Sequence, residues 1–103
     1  MSELSMIKER LRDFANSREW NVFHTPKNLA MALAGEAGEL VAEFQWLTAD
    51  ESKNLTGEKL NAVEMEIADV AIYLIRLADQ LDVNIYEAAM AKIEMNEKRF
   101  PLK

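Results

Sequence analysis

Two long segments, residues 26–47 and 58–81, carry apolar side chains at intervals of three and four residues. This spacing places the apolar residues on one stripe of an α-helix, so each segment is predicted to form an amphipathic helix. Only three glycines and two prolines occur in the 103 residues, and half of the residues are apolar. We therefore predict an all-α fold of long helices joined by short connections.

Polar capping residues divide the chain into four long helices and one short helical turn. Ser2 and Thr25 are suitable N-caps, and Pro26 takes the first helical position, where proline is tolerated. "TADE", which begins at Thr48, has the pattern of a capping box, and "NIYE", which begins at Asn84, offers another cap. The predicted helices cover residues 3 to about 16, 26 to about 47, about 58 to 81, and 85 up to Pro101, with the short turn at 48–51 between the second and third. Four long helices with short connections favour an antiparallel four-helix bundle, here a single domain over residues 1–103.

The composition excludes several classes of function. A formal charge of -6 argues against sequence-independent binding of DNA or RNA, because such binding depends on clustered lysine and arginine. No signal peptide is recognisable, and no apolar run approaches the roughly 20 residues that span a bilayer. The chain has no cysteine, so any metal would need oxygen or imidazole ligands. We expect a cytoplasmic protein without a nucleic-acid or membrane partner.

Acidic pairs occur at matching positions on the second and third long helices. "EAGE" begins at Glu36 and "EIAD" begins at Glu66. At about 100° per residue, Glu39 and Asp69 lie at the same angle from the first acid of their pair, next to the apolar stripe of their helix. If the two helices pack antiparallel, Glu36, Glu39, Glu66 and Asp69 can converge on one place.

Converging carboxylates indicate a metal site. A single pair of acids three residues apart is ordinarily solvated helix surface, but two pairs at matching positions on neighbouring helices weaken that interpretation. Four partly buried carboxylates would repel one another unless a cation lay among them. Oxygen ligands select hard ions, so the pattern suits Mg²⁺, with Mn²⁺ as a possible substitute.

With these motifs in place, the chain resembles the all-α nucleoside triphosphate pyrophosphohydrolases of the MazG-like superfamily. Their signature is Glu-x-x-Glu on one helix and Glu-x-x-Asp on the next, which "EAGE" and "EIAD" supply. More narrowly, "EWNVFHTPKNLAMALAGEAGELVAEFQW", "EIADVAIYLIRLA" and the ending "AKIEMNEKRFP" resemble the dCTP pyrophosphatase branch. The resemblance covers nearly the whole chain.

The resemblance implies hydrolysis of a (deoxy)nucleoside triphosphate, dCTP or a modified dCTP, to the monophosphate and pyrophosphate. It implies that Glu36, Glu39, Glu66 and Asp69 hold Mg²⁺, and we take Glu39 as the carboxylate that orients the attacking water. The implied substrate-binding residues are Trp20, Asn21, Val22, Phe23, His24, Trp46, Tyr73, Lys92 and Asn96. From the residues alone, the favoured interpretation of Trp20 and Trp46 is that they are core aromatics. Some relatives have histidine where this chain has Leu11, which leaves the base or sugar preference open.

Two other interpretations of the sequence stay open: a non-catalytic helical interaction module, and a pyrophosphohydrolase with a different nucleotide preference. A di-iron carboxylate bundle would require Glu-x-x-His pairs, which neither helix has. Apolar residues on the far sides of the two long helices, such as Met65, Ile72 and Ile75, require cover that one small domain does not supply. We therefore expect a homo-oligomer, a dimer or a tetramer.

Overall fold

The computed structural model describes residues 2–102, and every regular secondary-structure element within that range is a helix. This confirms the predicted all-α class. The helices are α1 (Glu3–Ser17), α2 (Pro26–Phe44), the short α3 (Ala49–Ser52), α4 (Gly57–Gln80) and α5 (Ile85–Arg99).

The predicted caps start four of the five helices. The side chain of Ser2 accepts a hydrogen bond from the backbone N–H of Ser5, and Thr25 and Asn84 act in the same way at α2 and α5. Thr48 forms the complete capping box at α3. Each cap satisfies a backbone N–H that has no partner within its own helix.

A left-handed residue ends α1 and directs the chain into the next loop. Glu19 has φ 57°, and the N–H of Trp20 donates to the carbonyl of Ala15 at 2.9 Å, as in a Schellman motif. Helix α4 ends in the same way at Asp82, which has φ 55°. Both turns are sharp, so the connection at 18–25 stays close to the helices it joins.

Helix α2 ends at Phe44, three residues before the predicted end at about Leu47. The N–H of Leu47 donates to the carbonyl of Phe44 at 2.9 Å, which tightens the chain into a turn. Thr48 is extended, with φ -74° and ψ 165°, because it caps α3. The cap of the short helix therefore limits the length of the long one.

Helix α4 is the centre of the chain, since α2 packs extensively against it and α1 packs on another of its faces. The buried apolar residues are Ala15, Leu29, Val63, Ile75 and Ala78. The expectation that Ile75 needs cover from outside the chain was wrong. Ile75 is buried within the chain, beside residues of the N-terminal part of α1 and residues 83–86, which line the same cavity.

Helix α5 has no buried residue and makes only marginal contact with the other described helices. The predicted four-helix bundle is therefore not completed within one chain, because only three of the four long helices pack together. Within residues 2–102 no helix has the length and apolarity needed to cross a membrane.

Candidate functional site

Packing of α2 against α4 brings three of the predicted acids together. Glu36 and Glu39 lie one turn apart on α2, and Glu66 faces them from α4. One carboxylate oxygen of each lies within 4.8 Å of the others. We call these three residues the acid cluster.

The acid cluster is electrostatically strained. Burial raises the pKa of Glu36, and the charges of Glu39 and Asp69 raise it further. The pKa of Glu66 is raised by the same causes: burial has the largest effect, followed by the charges of Glu39 and Asp69. Among the described residues, neither Glu36 Oε2 nor Glu66 Oε2 has a hydrogen-bond partner, although both atoms are buried.

Buried oxygens without partners fit a cation-binding site, because an unpaired carboxylate is expensive to bury. The nearby Lys59 does not serve the acid cluster, since its Nζ pairs with Glu43 at 3.0 Å. Carboxylate oxygens are the ligands that hard divalent ions take in proteins. The acid cluster can therefore hold a divalent metal ion.

Asp69, the fourth predicted ligand, lies outside the acid cluster. Its carboxylate is close enough to raise the pKa of Glu36 and of Glu66, yet it is not among the oxygens grouped within 4.8 Å. Asp69 instead lines the neighbouring pocket. The structure thus places three carboxylates together and the fourth at the boundary between the acid cluster and that pocket.

An aromatic pocket of about 470 Å³ adjoins the acid cluster through Asp69. It is formed by α1, the connection at 18–25 and α4. Trp20, His24 and Tyr73, three of the residues that the resemblance implies as substrate-binding, line it. The ring of Trp20 packs edge-on against Phe14 with centroids 5.4 Å apart. Aromatic faces and apolar walls suit a flat heterocycle.

The other residues implied as substrate-binding do not line this pocket within one chain. Asn21 bonds to Arg76 instead of facing the pocket. Trp46 is 86% exposed beyond the end of α2. The remaining residues of this kind are Val22 and Phe23, exposed in the connection at 18–25, and Lys92 and Asn96 on the separate helix α5.

Arg76 is the site residue to which the sequence analysis gave no role. It lines the pocket and is only 4% exposed, and its hydrogen bonds reach Asn21 and His24. A signal was present, because Arg76 is the one basic residue in the apolar run "VAIYLIRLA". The fold of the connection at 18–25 was needed to show what it contacts.

A model of the MazG-like family matches residues 32–103, so the chain belongs to the MazG-like family. The matched residues include the whole acid cluster, Glu36 and Glu39 on α2 and Glu66 on α4. The predicted resemblance is confirmed.

Named relatives place the chain near one branch of that family. It is 38% identical to human dCTP pyrophosphatase 1 over 100 residues, which is 95% of this chain and 59% of the relative. It is 37% identical to the Mus musculus protein of the same name over 101 residues, 96% of this chain and 59% of the relative. The chain thus spans about three fifths of the length of these mammalian relatives. A crystal structure of a pyrophosphatase from Archaeoglobus fulgidus superposes with a TM-score of 0.92 at 40% identity, covering 99% of this chain and 95% of the other.

Proposed function

We propose that this protein is a Mg²⁺-dependent nucleoside triphosphate pyrophosphohydrolase that converts dCTP, or a modified dCTP, to the monophosphate and pyrophosphate. The relatives named dCTP pyrophosphatase and the structural neighbour named pyrophosphatase support this activity. Removal of unwanted nucleotides from the cellular pool is the role that such a reaction serves.

The observation that carries the proposal is the junction of the acid cluster with the aromatic pocket. Asp69 lines the pocket and also acts electrostatically on Glu36 and Glu66. A nucleotide whose base lies among Trp20 and Tyr73 would therefore extend its phosphates towards the carboxylates. Phosphates and carboxylates repel each other, so a cation between them is required.

Glu36, Glu39 and Glu66 would hold the metal ion, with Asp69 at the side facing the nucleotide. A bound Mg²⁺ supplies charge neutralisation for the phosphates and lowers the pKa of water. Glu39 is exposed, unlike the half-buried Glu36 and Glu66, so it is the acid that solvent water reaches. Glu39 would accept a proton from the water as its oxygen bonds to the α phosphorus. The bond from that phosphorus to the bridging oxygen breaks, so the monophosphate forms and pyrophosphate leaves.

The pocket supports a pyrimidine base through its aromatic and apolar walls. Leu11 lines it where some relatives have histidine, so this part of the pocket offers no hydrogen bond to the base or sugar. Polar recognition must then come from other pocket residues, such as His24.

We propose further that the protein functions as a homo-oligomer, a dimer or a tetramer, in which α5 completes the four-helix bundle by packing on a second chain. Tyr86, Met90 and Ile93 form an exposed apolar stripe on α5 that supports such packing. In that arrangement Lys92 and Asn96 reach the phosphates bound by a neighbouring chain, and Trp46 closes a site between subunits.

Pyrophosphate release from a panel of nucleoside triphosphates, measured with Mg²⁺ and with EDTA, tests the activity. We expect metal-dependent release, fastest with dCTP or a modified dCTP. If pyrophosphate is released fastest from a nucleotide with another base, the proposed substrate is wrong but the proposed reaction stands. If no nucleotide reacts and Mg²⁺ does not raise the melting temperature, the interpretation as a helical interaction module replaces this one.

Substitution Glu39→Gln tests the assignment of the proton acceptor. We expect kcat to fall by about 100-fold or more, as on loss of a general base, with unchanged helical content by circular dichroism. Glu64→Gln is the matched control, since Glu64 is exposed on α4 outside the acid cluster and should keep its rate. A Glu39→Gln enzyme with full activity would refute the role given to Glu39.

A further inference from the structure

Arg76 is a buried cation whose nitrogens all have acceptors. Its Nε–H donates to His24 Nδ1 at 3.2 Å, Nη2 donates to Asn21 Oδ1 at 2.8 Å, and Nη1 donates to Asp79 Oδ2 at 3.3 Å. With the Gln80 amide turned to match its neighbours, its oxygen accepts from Nη2 at 3.0 Å and from Nη1 at 3.2 Å. A guanidinium so fully engaged is held in one orientation.

The charge of Arg76 is balanced without His24. Asp79 pairs with Arg76 at 3.3 Å and also accepts two hydrogen bonds from Arg12 of α1, at 2.6 and 3.1 Å. The Arg12 contacts lower the pKa of Asp79, which keeps it ionised. Neutralisation therefore does not explain why Arg76 also contacts the connection at 18–25.

The hydrogen bonds of Arg76 instead link α4 to the connection at 18–25. Two of its acceptors, Asn21 and His24, belong to residues 18–25. The same segment is held at the start of α2, where the Asn28 amide donates to the carbonyl of Phe23 at 3.1 Å. The position of the His24 ring is therefore set from two sides.

The contact with Arg76 also determines where the proton of His24 lies. A guanidinium only donates hydrogen bonds, so the Nδ1 that faces it must be unprotonated. A neutral imidazole then carries its proton on Nε2. Burial, followed by the charge of Arg76, lowers the pKa of His24, in keeping with a neutral ring.

His24 lines the pocket beside Trp20, whose ring centroid lies 6.1 Å away. The charged groups that line the same pocket are Arg10 from α1 and Asp69 and Arg76 from α4. Of the two nitrogens of the ring, the hydrogen bonds within residues 2–102 engage only Nδ1. The protonated Nε2 is thus left for a ligand.

We propose that Arg76 is a positioning residue that fixes His24 in the Nε2–H tautomer, so that His24 donates a hydrogen bond to an acceptor atom of the pyrimidine base. This proposal rests on the proposed function, which identifies the ligand as a pyrimidine nucleotide. A fixed donor discriminates between ligands, because a base that presents its own N–H at that position leaves two donors facing each other. Arg76 would thus contribute to base selection without touching the nucleotide.

Nitrogen NMR tests the tautomer directly, because His24 is the only histidine in the chain. In the tag-free protein labelled with ¹⁵N-histidine, we expect at neutral pH an unprotonated Nδ1 and a protonated Nε2. A non-hydrolysable dCTP analogue should shift the Nε2 resonance and leave Nδ1 unprotonated. A protonated Nδ1 in the wild-type protein, or an Nε2 that does not respond to the analogue, would overturn the proposal.

Kinetics of Arg76→Met test the consequence for binding. Asp79 keeps Arg12 as its partner in this variant, so the substitution removes the donor to His24 without stranding a carboxylate. We expect mixed tautomers in the spectrum and a KM for dCTP raised by about threefold to tenfold, the range for one neutral hydrogen bond, with little change in kcat. Arg12→Met is the control, because it weakens the contact between α1 and α4 but retains the bond to His24, so its KM should stay unchanged.

The outcomes separate this proposal from the proposed function. Equal rises of KM in both variants would mean that the arginines act only on stability, and the positioning role would fail. If the wild-type protein releases no pyrophosphate from any nucleotide, the proposed function fails, yet the ring spectrum still decides the tautomer. If Arg76→Met does not fold, the wild-type spectra with and without the analogue still test the proposal, because they report the tautomer of His24 and the response of Nε2.

Discussion

At the scale of single residues, two buried oxygens decide how the site is interpreted. Glu36 Oε2 and Glu66 Oε2 lack partners among the described residues, and the pKa of each side chain is raised by burial and by neighbouring acids. A fold that brings such groups together loses free energy unless a ligand compensates. A divalent ion bound at the acid cluster would supply that compensation.

The raised pKa values predict that binding of Mg²⁺ releases protons. Without metal, Glu36 and Glu66 retain protons above their ordinary pKa of 4.5, so their contribution to folding stability is complete below that value and is lost as the pH rises through the raised pKa. The ion binds the ionised form, so its affinity increases with pH over the same window. Calorimetric titration in buffers of different ionisation enthalpy measures the number of protons released.

The matched variants Glu66→Gln and Glu64→Gln are the controls for proton release. Only Glu66→Gln should reduce the number of protons and weaken binding, because Glu64 lies outside the acid cluster. Equal proton release by the wild type and both variants would contradict the assignment of the ligands.

The four acids could be identified from the sequence because their spacing shows which face of each helix they occupy. Four carboxylates were expected to converge, and the structure groups Glu36, Glu39 and Glu66 while Asp69 faces the pocket. Arg76 could not be assigned a role from the sequence, since His24 and Asn21, the partners that define its role, lie 52 and 55 residues away along the chain. Spacing along one helix does not reveal contacts with a folded connection.

At the scale of helices, capping residues determined most of the boundaries. Ser2, Thr25, Thr48 and Asn84 all cap the helices that they were expected to start. The end of α2 was predicted less well, because the competing cap at Thr48 turns the chain out of the helix. Local hydrogen bonds thus explain both the success and the error.

Substitution Thr25→Ala should destabilise the protein by about 1 kcal/mol, the usual cost of losing an N-cap hydrogen bond. Thr25 Oγ1 accepts from the N–H of Asn28 at 3.2 Å, and this contact also fixes where the connection at 18–25 enters α2. Urea unfolding at a constant protein concentration measures the loss.

Thr56→Ala provides the comparison, because Thr56 precedes α4 without a side-chain cap hydrogen bond. Its free energy of unfolding should change less than that of Thr25→Ala. Equal losses in both variants would show that the cap at Thr25 has no particular importance.

At the scale of the whole molecule, a single chain is too open for its size. It exposes 8271 Å² of surface, whereas a compact monomer of 11.8 kDa exposes about 5,900 Å². Its radius of gyration is 16.6 Å, against about 13 Å for a compact domain of this length. The open shape and the isolated α5 support the proposed oligomer.

Substitution Met90→Glu should disrupt that oligomer, because it places a charge in the middle of the apolar stripe formed by Tyr86, Met90 and Ile93. Light scattering coupled to size exclusion should report a smaller mass than for the wild type. Ala91→Glu is the matched control, since Ala91 is exposed at about 140° from Tyr86 on the helix and adds the same charge away from the stripe. A monomeric wild-type protein would contradict the proposed assembly.

The position of α5 was beyond sequence analysis. Helical spacing predicts that α5 exists and that it is amphipathic, but it does not state which surface covers the apolar stripe. The four long helices were therefore predicted correctly, whereas a bundle closed within one chain was not found.

The measurement that tests the central claim most directly is an anomalous difference map from crystals grown with Mn²⁺. We predict a peak within coordination distance of carboxylate oxygens of Glu36, Glu39 and Glu66. Glu36 Oε2 and Glu66 Oε2 should both coordinate the ion. Crystals grown in the same ion that show no peak there, with the three side chains turned apart into solvent, would contradict the assignment of this cluster as a metal centre.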